Sequence, residues 1–150
     1  MYSRIIAAVD GSDHSLHALS QAGLLAHLND AVLTIVHVAP NHPVPDELKG
    51  YARAEHLKDR PDDLWSAVSQ AILARAREHV AATVAKPPEM ETERRDGDIA
   101  DALLEAAHDS DADLIVVGNR GLSRVTALVL GSVSQKLSAA ESETDILIVK

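Results

Sequence analysis

The pattern that most restricts this chain is an alternation. Short apolar runs, each bounded by turn residues, are separated by longer stretches with helical spacing. Ile5–Val9 is apolar at every position, and Asp10-Gly11-Ser12 stops it. A strand without an inside–outside alternation is covered on both faces, as in a parallel sheet flanked by helices. Leu114–Val117 reads the same way; Ala31–Val38, rich in β-branched residues, and Thr144–Val149 read as further strands. Glu89–Arg95 is polar but alternates, with Met90, Thr92 and Arg94 on one face, and its charge suits an edge strand. Between these runs, Asp13–Leu28 places Leu16, Leu19, Gly23 and Ala26 on one helical face, with Ser12 or Asp13 as its cap. Asp62–Ala85 carries the stripe Trp65, Val68, Ile72, Ala76, Val80 and Val84. Ile99–His108 and Ser132–Ala140 are shorter helices. Strand and helix alternate from end to end, which predicts an α/β fold: a doubly wound parallel five-stranded sheet with helices on both faces. Two strand orders are common in such sheets, and the pattern alone does not choose between them.

The chain of 150 residues is long enough for one domain with a real core. It has no cysteine, which excludes disulfides, thiolate metal sites and cysteine nucleophiles. No apolar run reaches the length of a bilayer span, and Met1-Tyr2-Ser3-Arg4 leads directly into the first strand without a signal-peptide pattern. The expectation is a cytoplasmic protein without membrane insertion. The net charge of −9 argues against a nucleic-acid backbone as partner. Aromatics are only 2% and phenylalanine is absent, so a bound base is expected to meet aliphatic side chains and backbone.

Leu114–Leu137 carries the chemistry. The apolar run ends at Gly118, Gly121 follows after Asn119 and Arg120, and Gly131-Ser132-Val133-Ser134 opens a helix. Glycine admits positive φ and close approach of a bulky anion to the main chain. Free amides at a helix start form an anion site. Ser132 and Ser134 add hydroxyl donors, and the amide of Val133 lies between them. One glycine would be explained by strand ending alone; three at this spacing with two serines favour phosphate binding. Arg120 and Arg124 lie in the intervening loop, each able to offset phosphate charge or to sit in solvent.

The spacing G-x2-G-x9-G-S at Gly118, Gly121, Gly131 and Ser132 resembles the ATP-binding motif of the universal stress protein family. The opening IIAAVDGS and the VHV at 36–38 extend the resemblance over the chain. It implies the strand order 3-2-1-4-5. Strands one and four are then neighbours whose connections diverge, opening a crevice at their C-terminal ends. Asp10 and Gly118 meet there. By resemblance, Asp10 lies beside the nucleotide, Val38 contacts adenine, and Ala8 and Val9 line the same pocket. Asp10, otherwise a turn residue, would repel phosphates unless it held a ribose hydroxyl or a metal ion such as Mg2+. The family also commonly pairs its last strand across a dimer. Here that strand, Thr144–Val149, has an apolar, unguarded edge but departs from the usual Pro-Val-Leu-Val-Val-like ending.

Other features read as structural. His14 and His17 stand three residues apart on a polar helix face without further ligands in view. His37 reads as a satisfied buried or half-buried histidine, Trp65 as a core or interface residue, and Lys136 as a surface residue. Residues 39–61, broken by four prolines, read equally as a lid and as a variable loop, with a short helix near Asp46–Leu57. No P-loop, G-x-G-x-x-G or G-x-S-x-G motif occurs. The leading expectation is an ATP-binding, homodimeric stress sensor or regulator, with Mg2+ and an unidentified protein partner. A slow ATPase or phosphotransferase and a nucleotide-free interaction module are the alternatives; binding has more support than turnover.

Overall fold

A computed structural model describes residues 1–54, 61–120 and 131–150, apart from the side chains of 51–54 and 61–63. In chain order the elements are β1 (Arg4–Ala8), α1 (Asp13–Asn29), β2 (Val32–Ala39), α2 (Asp46–Ala54), α3 (Pro61–Thr83), β3 (Met90–Asp96), α4 (Ile99–Ser110), β4 (Leu114–Gly118), α5 (Ser132–Ala139) and β5 (Asp145–Val149). The strands form one five-stranded parallel sheet in the order β3-β2-β1-β4-β5. The expected alternation and strand order are both present. Element ends differ from the expected ones by one or two residues, and the helix starting at Asp46 is described to Ala54.

The uninterrupted apolar runs are explained by two cores, one on each face of the sheet. Ile5, Ala7, Val9, Leu33, Ile35, Leu114 and Val116 point to the face covered by α1 and α3. Ile6, Val36, Val38, Ile115 and Val117 point to the face covered by α4 and α5. Successive residues of a strand face opposite ways, so both parities must be apolar. On β2 the same parity carries His37 toward α3, where Ser69 lies.

Helix ends follow local chemistry. Ser12 Oγ accepts the Ser15 amide at 3.1 Å, and Asp98 Oδ1 accepts the Asp101 amide at 3.0 Å, so each caps its helix. α1 and α4 end on Asp30 and Asp111 in left-handed conformation. Gly11, with φ +86°, makes the turn that carries β1 into α1.

α1 and α3 pack closely where α1 has no side chain. A Cβ at Gly23 would lie 3.0 Å from Val84 Cγ2 and 3.2 Å from Val80 Cγ1. Gly23→Leu is expected to destabilise by about 1–3 kcal/mol through overpacking. The check is a lower urea midpoint at unchanged m-value; an unchanged midpoint would refute the close packing.

The two edges differ. β3 carries charge: Arg95 pairs with Glu93 at 2.7 Å and Asp109 at 2.8 Å, and Arg94 with Asp96 at 2.7 Å. β5 presents half-buried Ile146, Leu147, Ile148 and Val149 at the other edge.

Candidate functional site

β1 runs into α1 on one face, while β4 is followed by α5 on the other. Diverging connections leave a crevice at the C-terminal ends of neighbouring strands. A cleft of about 450 Å³ lies there. Ala8 at the end of β1 lines it with Val9 and Asp10 just after, Val38 lines it from β2, and Gly118 at the end of β4 lines it with Arg120 just after. Gly131, Ser132, Val133 and Ser134 complete that side. Every expected site residue that is described therefore converges on one cleft; Gly121, like Arg124, lies outside the described residues.

The helix start offers fewer donors than the motif suggested. The Gly131 amide is taken, donating to Asn119 O at 3.0 Å. Ser134 Oγ donates to the Gly118 carbonyl at 3.1 Å and is buried. What remains is the first turn itself. α5 has no side-chain cap, and the amides of Ser132, Val133 and Ser134 have no acceptor among the described residues. Such amides, at the positive end of the helix dipole, are an anion site.

Of the motif glycines, Gly118 and Gly131 serve close approach rather than positive φ. Among the described glycines, positive φ belongs to Gly11 and Gly97. A Cβ on Gly118 would meet His14 O at 3.2 Å and Arg120 O at 3.3 Å, and one on Gly131 would meet Asn119 O at 3.2 Å. These glycines let the β4 tip, the first turn of α1 and the start of α5 crowd together.

Asp10 is half-buried, and its Oδ1 accepts the Ser12 amide at 2.9 Å. The turn role foreseen for it is present, and Asp10 also lines the cleft, as does Glu47 from α2. The 40–48 part of the segment after β2 forms a wall of the cleft. Val44 and Leu48 are buried in the core, and Pro40, His42 and Pro45 line the opening.

One reading from composition needs correction, and one residue does more than expected. Trp65 is half-buried and packs against the core, as expected, and it also lines the cleft, its Nε1–H donating to His42 O at 2.8 Å. His37 is buried and satisfied as expected, its Nδ1 2.8 Å from Ser69 Oγ, yet it lines the cleft as well. The cleft is thus not bounded by aliphatic side chains and backbone alone. Burial pushes the His37 imidazole down to about 4; the nearby Asp10 carboxylate opposes this, Arg94 adds to it and Asp96 opposes it. Pro40 and His42 were legible in principle, since they follow β2 as Asp10 follows β1. Nothing local marks Trp65.

The remaining candidates behave as surface groups. His14 and His17 are exposed, and no cluster of three or more His, Cys, Asp or Glu is found among the described residues. Lys136 is exposed and pairs with Asp98 at 2.8 Å and Asp101 at 3.1 Å, holding the Asp98 carboxyl below its usual range. No described helix is long and apolar enough to cross a membrane.

The family model described as "Universal stress protein family" matches residues 1–150. The chain belongs to this family. It is 37% identical over 152 residues to a universal stress protein of Thermus aquaticus, covering 100% of both chains. It is 35% identical to the stress response protein NhaX of Bacillus subtilis, covering 98% of this chain and 97% of NhaX. Among solved structures, a universal stress protein in complex with cAMP is 35% identical, with a TM-score of 0.71 over 99% of this chain and 97% of that one. The universal stress protein UspA from Lactobacillus plantarum shares the fold at 23% identity, with a TM-score of 0.74 over 99% and 98% of the two chains.

Proposed function

We propose that this universal stress protein binds an adenine nucleotide, ATP with Mg2+, in the cleft between β1 and β4. In this reading it acts as a homodimeric sensor or regulator. The observation that carries the reading is the first turn of α5, whose three amides have no acceptor among the described residues and lie in the same cleft as the main chain of Gly118 and Gly131. The phosphates would rest there, with Arg120 and the Ser132 hydroxyl alongside. Ala8, Val9 and Val38 would border the nucleoside, and Asp10 would hold a ribose hydroxyl or the cation. The structure in complex with cAMP supports an adenine nucleotide as the ligand class.

Charge supports the cation. Asp10 and Glu47 line the same cleft as the anion site, in a chain of net charge −9. Carboxylates beside phosphates repel unless a divalent ion sits between them, and Mg2+ is commonly held by one or two carboxylates plus substrate phosphates. Asp10 and Glu47 would supply the protein ligands, and the ion would neutralise phosphate charge. Dimerisation would use β5, whose apolar edge is open in the single chain.

The test is calorimetry on protein stripped of endogenous nucleotide, with ATP, ADP, AMP and cAMP, with and without Mg2+. Saturable binding of ATP, strengthened by Mg2+ and weakened by Asp10→Asn, is the expected result. No heat from any of the four would refute the reading. Preference for cAMP would keep the site and replace the ligand. Labelled product above background, lost in Asp10→Ala, would make the protein a slow ATPase instead.

A further inference from the structure

The cleft has two unlike halves. One is main chain and hydroxyl: Gly118, Gly131 and the first turn of α5. The other is built where β2, the 40–48 segment and the start of α3 meet, and it carries rings: His37, His42 and Trp65. The chain has one tryptophan and no phenylalanine, so placing that one indole at a cleft is not a by-product of an aromatic-rich core.

Trp65 is held on several sides. Its only polar atom is satisfied by His42 O at 2.8 Å. The His37 ring lies 5.9 Å away at an interplanar angle of 36°, and the His42 ring 6.1 Å away at 67°. His37 is itself fixed by Ser69 Oγ at 2.8 Å. The indole therefore has no hydrogen bond left to donate. What it offers a ligand is a fixed, uncharged π surface, suited to a flat heteroaromatic ring and unsuited to phosphate. Such a surface, preorganised before binding, keeps the ordering cost of the contact low.

Resting on the nucleotide reading above, we infer that Trp65 packs against the nucleobase and is a specificity-determining residue of the site. The phosphate end is read by backbone amides that any nucleotide satisfies; the ring end distinguishes a nucleotide from a bare sugar phosphate or pyrophosphate. Base–aromatic contacts tolerate many bases, because every base has a π face. Trp65 then favours a ring-bearing ligand as a class, and the choice among bases falls to the groups at the ring's edge, such as the Val38 backbone.

The single tryptophan makes the inference directly readable. Its emission in the wild-type protein is expected to change saturably with AMP and ATP and not with pyrophosphate or ribose 5-phosphate. Trp65→Leu, which keeps an apolar side chain without a π face, is expected to weaken AMP binding about tenfold or more. Trp65→Phe, which keeps the π face but loses the bond to His42, should stay within about threefold of wild type on the same scale. An emission unchanged while calorimetry shows AMP saturating the wild type would overturn the role of Trp65 and leave nucleotide binding standing. So would an equal loss in the Phe and Leu variants, since that is how a merely structural indole would behave. No heat from any nucleotide would overturn both readings.

Discussion

Gly118→Ala is expected to lower nucleotide affinity at least about tenfold, which is about 1.4 kcal/mol, and to cost about 1–3 kcal/mol of stability through overpacking. The new methyl would stand 3.2 Å from His14 O and 3.3 Å from Arg120 O, both main-chain atoms. Neither can rotate aside as a side-chain tip would. The β4 tip must move from α1, or Arg120 from β4. Either shift disturbs the anion site, because the Gly118 carbonyl accepts Ser134 Oγ and Asn119 O accepts the Gly131 amide. A few tenths of an ångström at Gly118 thus reach the turn whose amides would hold the phosphates. Gly50→Ala is the control: it lies in α2 with nothing within 4 Å of its Cβ position. Helix propensity there should stabilise by about 0.5–1 kcal/mol. Calorimetry of both variants with ATP, alongside thermal melts, is the measurement. Wild-type affinity in Gly118→Ala would remove the motif glycine from the binding argument.

The fold was legible because burial on both faces leaves a mark on composition. Ile5–Val9 must be apolar at both parities once α1 and α5 lie on opposite sides, and no half-exposed strand reads that way. Strand order left no such mark: β1 pairs with β4 across a long stretch of sequence, and only the family resemblance indicated it. The positions of the motif glycines were visible, but their physical reason was not. Crowding at Gly118 comes from His14 in the first turn of a helix distant in sequence, which no local pattern encodes. The cleft contact of Trp65 was hidden for a related reason. Helical spacing put it on the stripe with Val68 and Ile72, which are buried under the sheet. One turn earlier, α3 has reached the end of β2, and the same stripe borders the cleft as well as the core. Periodicity identifies a face; where along the helix that face also meets a cleft depends on where the strands end.

Lowering the pH from 7 to 4 is expected to remove about 3 kcal/mol of stability through His37 alone, the worth of a proton affinity that differs by about two and a half decades. The imidazole titrates near 6.5 when unfolded and is pushed down to about 4 when folded, chiefly by burial. Between those values the unfolded chain binds the proton and the folded chain does not. Stability therefore rises with pH across the window: it is complete above about 6.5 and lost as the pH falls toward 4. The paired carboxyls act lower. Asp113, which accepts the Ser3 amide at 2.6 Å and the Arg4 amide at 2.9 Å, is held below its reference of 3.8, so its contribution disappears only beneath that value. The two effects separate on the pH axis. Urea unfolding of the wild type at intervals between pH 7 and 4 should show the loss. His37→Leu paired with Ser69→Ala, which removes both members of the buried bond, should show a much flatter profile. Equal slopes in the two proteins would mean that burial does not hold the ring neutral. The same lowered affinity bears on the site, because His37 shares the cleft with Trp65 and faces the Asp10 carboxylate electrostatically. At neutral pH the His37 ring is uncharged, and any cation needed to bring phosphates beside Asp10 must come from elsewhere than His37.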